Sequence, residues 1–162
     1  MKNSSYFIAV LVASSLSCHQ PDTQPTQTIE GTYQATYYDY SATPPTAYPI
    51  NGHAITLQIA YVSADTARVT ITPTSTGAAL PADIYSPTQA LSYSKAYVKK
   101  VVNSSSTAYY VYLVSPPKNS NILNDVLLLY GGKSIADYIF TPAQTPTRST
   151  IIRFEKLWCR FV

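Results

Sequence analysis

Regular alternation of apolar and polar side chains is the feature that most restricts the fold of this chain. In residues 54–61, AITLQIAY, large apolar side chains take every second position, with Thr56 and Gln58 between them. Successive side chains of a β-strand point to opposite faces, so this pattern predicts a strand with one buried face. Residues 67–72 alternate in the same way, and the polar residues 63–66 predict a turn. We therefore predict an antiparallel hairpin here.

Segments of this kind recur along the rest of the chain, separated by short polar stretches. The further predicted strands are residues 31–40, 91–102, 107–114, 126–130, 135–140 and 150–157, with residues 84–85 as a weaker candidate. Abundant Thr, Tyr, Val and Ile suit strands, and the 12 prolines interrupt stretches long enough for a helix. The predicted interior residues are Ile55, Leu57, Ile59, Val69, Ile71, Leu127 and Leu129.

These strands are predicted to form a single all-β domain, an antiparallel β-barrel of about eight strands. Short strands joined by tight turns suit either a barrel or a sandwich, and an even number of sequential hairpins favours the barrel. Closure also removes sheet edges, which invite aggregation in a chain with only 12% charged residues. A β-sandwich is the alternative.

The first 17 residues have the anatomy of an export signal. Lys2 provides a positive start, residues 6–16 are uncharged and mostly apolar, and the small residues Ser15 and Ser17 lie just before Cys18. About eleven apolar residues are too few to cross a bilayer, which needs about twenty. We therefore predict that residues 1–17 are a signal peptide that is removed on export.

Cys18 directly follows the predicted cleavage site, and this segment resembles the lipobox of bacterial lipoproteins in the looser form found among the Bacteroidota. In that family the cysteine takes a diacylglyceryl group and becomes the new amino terminus. The resemblance implies lipidation of Cys18 and an anchor in the outer membrane of a Gram-negative cell, on the periplasmic or the cell-surface side. The alternative is an ordinary signal peptidase site that leaves Cys18 as a plain thiol.

Residues 18–28 are predicted to be a lipid-anchored flexible tether, and residues 29–162 the folded domain. The sequence HQPDTQPTQT after Cys18 has no large apolar side chain, so burial cannot offset the entropy lost on ordering. Cys159 is the only other cysteine. A lipidated Cys18 cannot pair with Cys159, which is then expected to be a small buried residue, and a disulfide between the two is the alternative.

Three short motifs resemble lipocalins, and more closely the lipocalin-like lipoproteins of the Bacteroidota. The G-T-Y at residues 31–33 is similar to the Gly-x-Trp opening of that family, and the D-Y at residues 137–138 to its Thr-Asp-Tyr signature. The departures are Tyr33 in place of Trp and Ala136 in place of Thr. The resemblance implies a barrel in which Tyr33 plugs the floor and Arg153, on the last strand, lies over the aromatic ring.

The sequence contains no pattern typical of catalysis or metal binding. His19 and His53 have no second His or Cys at ligand spacing, the acidic residues are scattered singly, and nucleophile and phosphate-binding motifs are missing. A net charge of +3 is too small to form a basic field. We therefore predict a protein that is not an enzyme, has no cofactor or metal site and binds no nucleic acid.

Tyrosine and lysine clusters are the remaining candidates for a binding surface. Tyrosine rings bind sugars, flat ligands and proteins, although tyrosine also suits strands for packing alone. Lys95, Lys99 and Lys100 are interpreted as a charged sheet edge that discourages aggregation, in preference to an anion site. The candidate ligand-binding residues are Tyr33, Tyr61, Tyr110, Tyr112 and Tyr138.

Two functions are compatible with this sequence. The first is an exported lipoprotein whose barrel binds a small apolar or amphipathic ligand, or a sugar. The second is an envelope interaction module with a filled interior, which binds a protein or glycan on a tyrosine-rich outer face. A dry enclosed pocket would favour the first function and a solid core the second.

Overall fold

The computed structural model describes residues 24–40, 44–75, 79–82, 84, 86–114 and 121–157. Within these residues one short helix, α1 (Pro25–Ile29), precedes nine β-strands. The strands are β1 (Gly31–Tyr40), β2 (Thr46–Ala47), β3 (His53–Ser63), β4 (Thr66–Ser75), β5 (Leu91–Val102), β6 (Thr107–Leu113), β7 (Ile122–Tyr130), β8 (Ile135–Pro142) and β9 (Thr150–Lys156).

The strands form a closed antiparallel barrel. From β3 to β8, each strand pairs with the next along the chain, and β9 pairs back onto β1. β1 also pairs with β3, so eight strands close the ring, and the two-residue β2 lies against β1 as a ninth. The predicted barrel of about eight strands is confirmed, and the β-sandwich alternative is wrong.

The predicted strands agree well with the observed ones. β1 and β5 have the predicted bounds, and each of the other six main segments overlaps a barrel strand. β2 was not predicted, because two residues are too few to show alternation. Residue 84 lies outside any strand, and residue 85 is outside the described residues.

Large side chains fill the barrel. All seven predicted interior residues are at most 1% exposed, so that prediction is confirmed. Another row of inward-facing cross-strand partners runs from β5 to β1 and consists of Val98, Val111, Leu127, Tyr138, Ile152 and Tyr38. The middle four of these have no accessible surface. A side chain without accessible surface lines no cavity large enough for water, so this part of the interior is solid.

The helix α1 closes one end of the barrel. Thr26 is fully buried, and its hydroxyl contacts the carbonyl oxygens of Ser63 and Ala64 at the turn between β3 and β4. Ile29 is also fully buried. The predicted flexible tether is therefore wrong for residues 25–28, because a threonine hydroxyl and one isoleucine dock this segment on the barrel. Residues 18–23 lie outside the described residues.

Tyr33 plugs the same end of the barrel, as predicted. Its ring is fully buried, and its hydroxyl donates a hydrogen bond of 2.6 Å to the carbonyl oxygen of Ile29. The side chain over the ring is that of Lys156, whose Nζ lies 5.5 Å from the ring centroid. The predicted position of Arg153 is wrong, because its guanidinium pairs with Asp137 on the outside of β8.

Gly31 makes the contact with Lys156 possible. Its φ is +147°, and a Cβ at this position would lie 2.6 Å from Cε of Lys156. Lys156 also donates from Nζ to the carbonyl oxygen of Glu30 at 2.6 Å. A glycine is therefore favoured where the chain passes from α1 into β1.

The predicted signal peptide, Cys18 and Cys159 all lie outside the described residues. Export and lipidation accordingly stay predictions. Over the ranges that the structure does describe, no helix is long and apolar enough to cross a membrane.

Candidate functional site

Two outward-facing rows of side chains cross six strands of the barrel wall. Cross-strand partners stand side by side on the same face of a sheet. The first row runs from β5 to β1 through Tyr97, Tyr112, Val126, Ile139, Ile151 and Asp39. The second row runs beside it through Lys99, Tyr110, Leu128, Asp137, Arg153 and Tyr37. We call these positions the outer belt.

The outer belt is rich in aromatic and aliphatic side chains, whereas the solvent face of an antiparallel sheet is usually polar. Tyr37, Tyr97 and Tyr112 are 45%, 43% and 47% exposed. The four aliphatic members of the belt are partly exposed. The wall formed by β3 and β4 differs, because its outward positions include Thr56, Gln58, Arg68, Thr70 and Thr72. The two sides of the barrel therefore have different surface chemistry.

Three tyrosine rings lie together in the outer belt. Tyr110 and Tyr112 have ring centroids 6.3 Å apart and planes inclined by 19°. Tyr97 is the cross-strand partner of Tyr112. Tyrosine offers a large contact area and a hydroxyl tip at a low cost in side-chain entropy. This group therefore has the chemistry of a binding surface.

Two lysines give the β5 side of the outer belt a positive charge. Lys95 and Lys99 flank Tyr97 and are exposed, and the Nζ of Lys95 lies 5.0 Å from the Tyr97 ring centroid. The predicted role in protecting a sheet edge is wrong for Lys95, which lies where β5 pairs with β4 on one side and β6 on the other. Pairing with β4 ends at Tyr97, so among the described strands only β6 pairs with the part of β5 that carries Lys99 and Lys100, and these two lysines do lie at a sheet edge.

An ion pair lies in the second row of the belt. Arg153 donates from Nε and Nη2 to the two carboxylate oxygens of Asp137, at 2.8 and 3.1 Å. Asp137 is 6% exposed, and it also accepts a hydrogen bond of 2.6 Å from the hydroxyl of Tyr130. The bond to Asp137 raises the pKa of Arg153, and burial raises the pKa of Tyr130 to about 12. The two opposite charges thus compensate each other within the belt.

A notch of about 160 Å³ lies at the β1 end of the outer belt. Its lining residues are Tyr37, Asp39, Pro45, Ile151 and Arg153. Pro45 directly precedes β2, so the pairing of β2 with β1 holds one wall of the notch in place. Pockets that accept a single anchoring side chain are typical of the centres of protein interfaces.

The five tyrosines predicted to bind a ligand do not share one site. Tyr110 and Tyr112 lie in the outer belt. Tyr33 and Tyr138 are fully buried inside the barrel. Tyr61 is 40% exposed and lies at the barrel rim beside α1. The structure therefore brings only two of them together on a surface.

The aliphatic part of the belt was not predicted. Its members are Val126, Leu128, Ile139 and Ile151. They occur in the uninterrupted apolar runs 126–129 and 138–140 and in the pair 151–152, where the alternation stops. An uninterrupted apolar run in a strand indicates that both faces are apolar. That signal could have located the belt.

A polar cluster also lies on the inner side of the wall. Asp125 on β7 accepts hydrogen bonds from the hydroxyls of Tyr93 and Tyr138, the second at 3.0 Å. Burial raises the pKa of Asp125, and the two hydrogen bonds oppose that shift. Among the described residues, no group of three or more His, Cys, Asp and Glu side chains could hold a metal ion.

We expect Asp125→Asn to remove a pH-dependent part of the stability. A carboxyl whose pKa is raised by folding contributes most below its ordinary pKa of 3.8, and this contribution falls as the pH rises above that value. Urea unfolding should therefore show the variant gaining stability relative to the wild type between pH 3.5 and pH 7.5. A constant difference over that range would contradict the raised pKa.

Comparisons with known proteins identify no family for this chain. No family model and no curated protein matches it. A solved structure described as "De novo design of a fluorescence-activating beta barrel" is similar, with a TM-score of 0.44 and 9% sequence identity over 83% of this chain and 98% of that one. The resemblance to lipocalin-like lipoproteins stays a prediction.

Proposed function

We propose that this protein is an interaction module of the bacterial cell envelope, whose outer belt binds a protein partner. The composition of the belt carries the proposal, because eight of the twelve positions in two adjacent rows on six strands are aromatic or aliphatic side chains that face outward. Soluble monomers rarely expose extended apolar patches without a binding role. The envelope address rests on the predicted export signal and on lipidation of Cys18, which would anchor the module to a membrane.

The packed interior supports a binding site on the wall in preference to one inside the barrel. Val111, Leu127 and Tyr138 have no accessible surface, although they lie halfway along the inner wall. A ligand cavity at that level would expose them. Binding on the outer belt requires no rearrangement of these side chains.

The chemistry of the belt favours a protein over a glycan. Aliphatic side chains such as Val126, Ile139 and Ile151 offer no hydrogen bonds to sugar hydroxyls. Protein interfaces combine an apolar centre, enriched in tyrosine, with a polar rim. Here Lys95 and Lys99 provide the charged part of the rim. The partner is therefore expected to present apolar side chains, with acidic residues opposite β5.

Photo-crosslinking tests this docking surface. The protein is made with p-benzoylphenylalanine in place of Tyr112 in the belt, or in place of Thr70 on the polar wall, and is irradiated in an envelope extract of the cells that produce it. We expect discrete protein adducts from position 112 and about tenfold less adduct from position 70. An excess of unlabelled wild-type protein should prevent the adducts. An equal excess of the variant Tyr110→Ser with Val126→Ser should not.

Other outcomes would overturn the proposal. Equal adducts from both positions would indicate non-specific contact. Adducts found only at the mass of two copies of this chain would indicate self-association, and adducts to lipid would indicate a membrane surface. The competing variant must have the same unfolding midpoint in urea as the wild type. A loss of competition then reports the changed surface and not unfolding of the variant.

A further inference from the structure

A second surface lies at the end of the barrel opposite α1. It is a groove of about 430 Å³, adjoined by a smaller cavity of about 300 Å³, and the two share His53, Leu80, Ser86 and Thr88. His53 begins β3, whereas α1 docks near the other end of that strand. The groove is therefore far from the floor of the barrel, and none of its lining residues belongs to the outer belt.

One wall of the groove is formed by residues 80–82, 84 and 86–88, which are held on the barrel. Asn51 donates from its side-chain amide to the carbonyl oxygen of Ala79 at 3.4 Å. The backbone N–H of Ile84 donates to the carbonyl oxygen of Pro81 at 3.0 Å. Leu80 and Ile84 pack against the core. These contacts give the groove a preformed shape, as is usual for small-molecule sites.

The opposite wall combines the start of β7 with the turn after β8. The backbone N–H of Ala143 donates to the carbonyl oxygen of Asn121 at 2.9 Å and joins the two segments. Gln144 follows directly and lines the groove beside Asn121. Both side chains are exposed, so their amide groups are accessible at the groove.

The described lining is apolar on one part and polar on the other. The apolar residues include Pro73, Leu80, Pro81 and Ile84. The polar residues are His53, Ser75, Ser86, Thr88, Asn121 and Gln144. Among these described lining residues there is no Asp, Glu, Lys or Arg. Hydroxyl and amide groups both donate and accept hydrogen bonds, so they suit a ligand with many hydroxyl groups.

We propose that this groove binds a neutral carbohydrate of one or two sugar units. A sugar ring has a C–H face that fits Leu80 and Ile84, and peripheral hydroxyls that fit Thr88, Asn121 and Gln144. An apolar ligand would cover the hydroxyl of Thr88 and the side-chain amide of Gln144 without offering them hydrogen bonds. An ionised ligand would be desolvated without a compensating Asp, Glu, Lys or Arg among the described lining residues. The site is independent of the belt, so either proposal can fail without the other.

A nuclear magnetic resonance titration of the purified, ¹⁵N-labelled protein tests this proposal. The probes are N-acetylglucosamine, galactose, mannose, cellobiose and lactose, with glucuronate and glucose 6-phosphate as charged counterparts. We expect saturable shifts with at least one neutral sugar, centred on the amides of Thr88, Asn121 and Gln144. The charged counterparts should bind about tenfold more weakly.

Two variants locate the site. Asn121→Ala combined with Gln144→Ala should weaken binding about tenfold, and Thr88→Val, which removes a hydroxyl at constant shape, should weaken it without a change of fold. Thr72→Ala on the polar wall is the matched control and should leave the affinity unchanged. Absence of saturable shifts with every neutral sugar, shifts located in the outer belt, or a preference for the charged sugars would each overturn the proposal.

Discussion

Replacing Phe154 by alanine should destabilise the barrel by about 3–5 kcal/mol, a large share of the stability of a domain. The ring is fully buried on β9, and its cross-strand partners are the small residues Ala136 and Ala35. These two alanines leave the space that the ring fills, and they cannot fill it when the ring is removed. Equilibrium unfolding in urea measures the loss.

Two other substitutions, one at the next residue and one at position 154 itself, serve as controls for Phe154→Ala. Glu155→Ala alters an exposed residue on the same strand and should change the stability by less than about 0.5 kcal/mol. Phe154→Leu should give an intermediate loss, because part of the volume is kept. A loss below about 1 kcal/mol for Phe154→Ala would show that the interior is loosely packed. Binding of a ligand inside the barrel would then become the better explanation of the function.

Replacing Arg153 by methionine should cost about 2 kcal/mol. Methionine keeps much of the packing of the arginine stem but removes both hydrogen bonds to Asp137. The Asp137 side chain is 9% exposed, and among the described residues it would keep only its hydrogen bond from Tyr130. The arginine side chain itself is 42% exposed, so the expected loss is smaller than the roughly 3–5 kcal/mol typical of fully buried pairs.

A double-mutant cycle isolates the ion pair from other effects of Arg153→Met. Adding Asp137→Asn removes the uncompensated charge, so the double variant should recover most of the lost stability. Arg68→Met, at an exposed position of β4, should change the stability by less than about 0.5 kcal/mol. Strictly additive losses in the double variant would show that the pair does not stabilise this part of the belt.

The fold was predictable from sequence where one face of a strand meets water and the other does not. Alternation therefore located strands such as β3 and β4 and interior residues such as Leu57 and Ile71, whereas β7 and β8 contain uninterrupted apolar runs and were located by the turn residues between them. Alternation did not identify the neighbours of a residue on strands distant in sequence, because a pattern within one strand does not show which other strand it pairs with, as β9 does with β1. The roles predicted for Arg153 and Lys95 were wrong for that reason. The docking of α1 was missed because it depends on only two buried side chains, those of Thr26 and Ile29.

The candidate site was predictable only in part. The tyrosine clusters indicated Tyr110 and Tyr112, but their alignment with Val126 and Ile139 depends on the register of successive strand pairs. Register along β1 is further shifted by an irregularity between Ala35 and Tyr37, which no periodic pattern shows. The groove at the other end is lined largely by residues outside the strands, where alternation carries no information.

Because β9 pairs with β1, the ring can close only after β9 has been synthesised. Until then the nascent chain can form no more than an open sheet with two free edges, which are sites of misassembly. Closure then requires segments from opposite ends of the domain to meet, and such long-range contacts slow folding. Late formation of the barrel thus follows from the order of its strands, and a partner that shields the free edges during synthesis would raise the yield of folded protein.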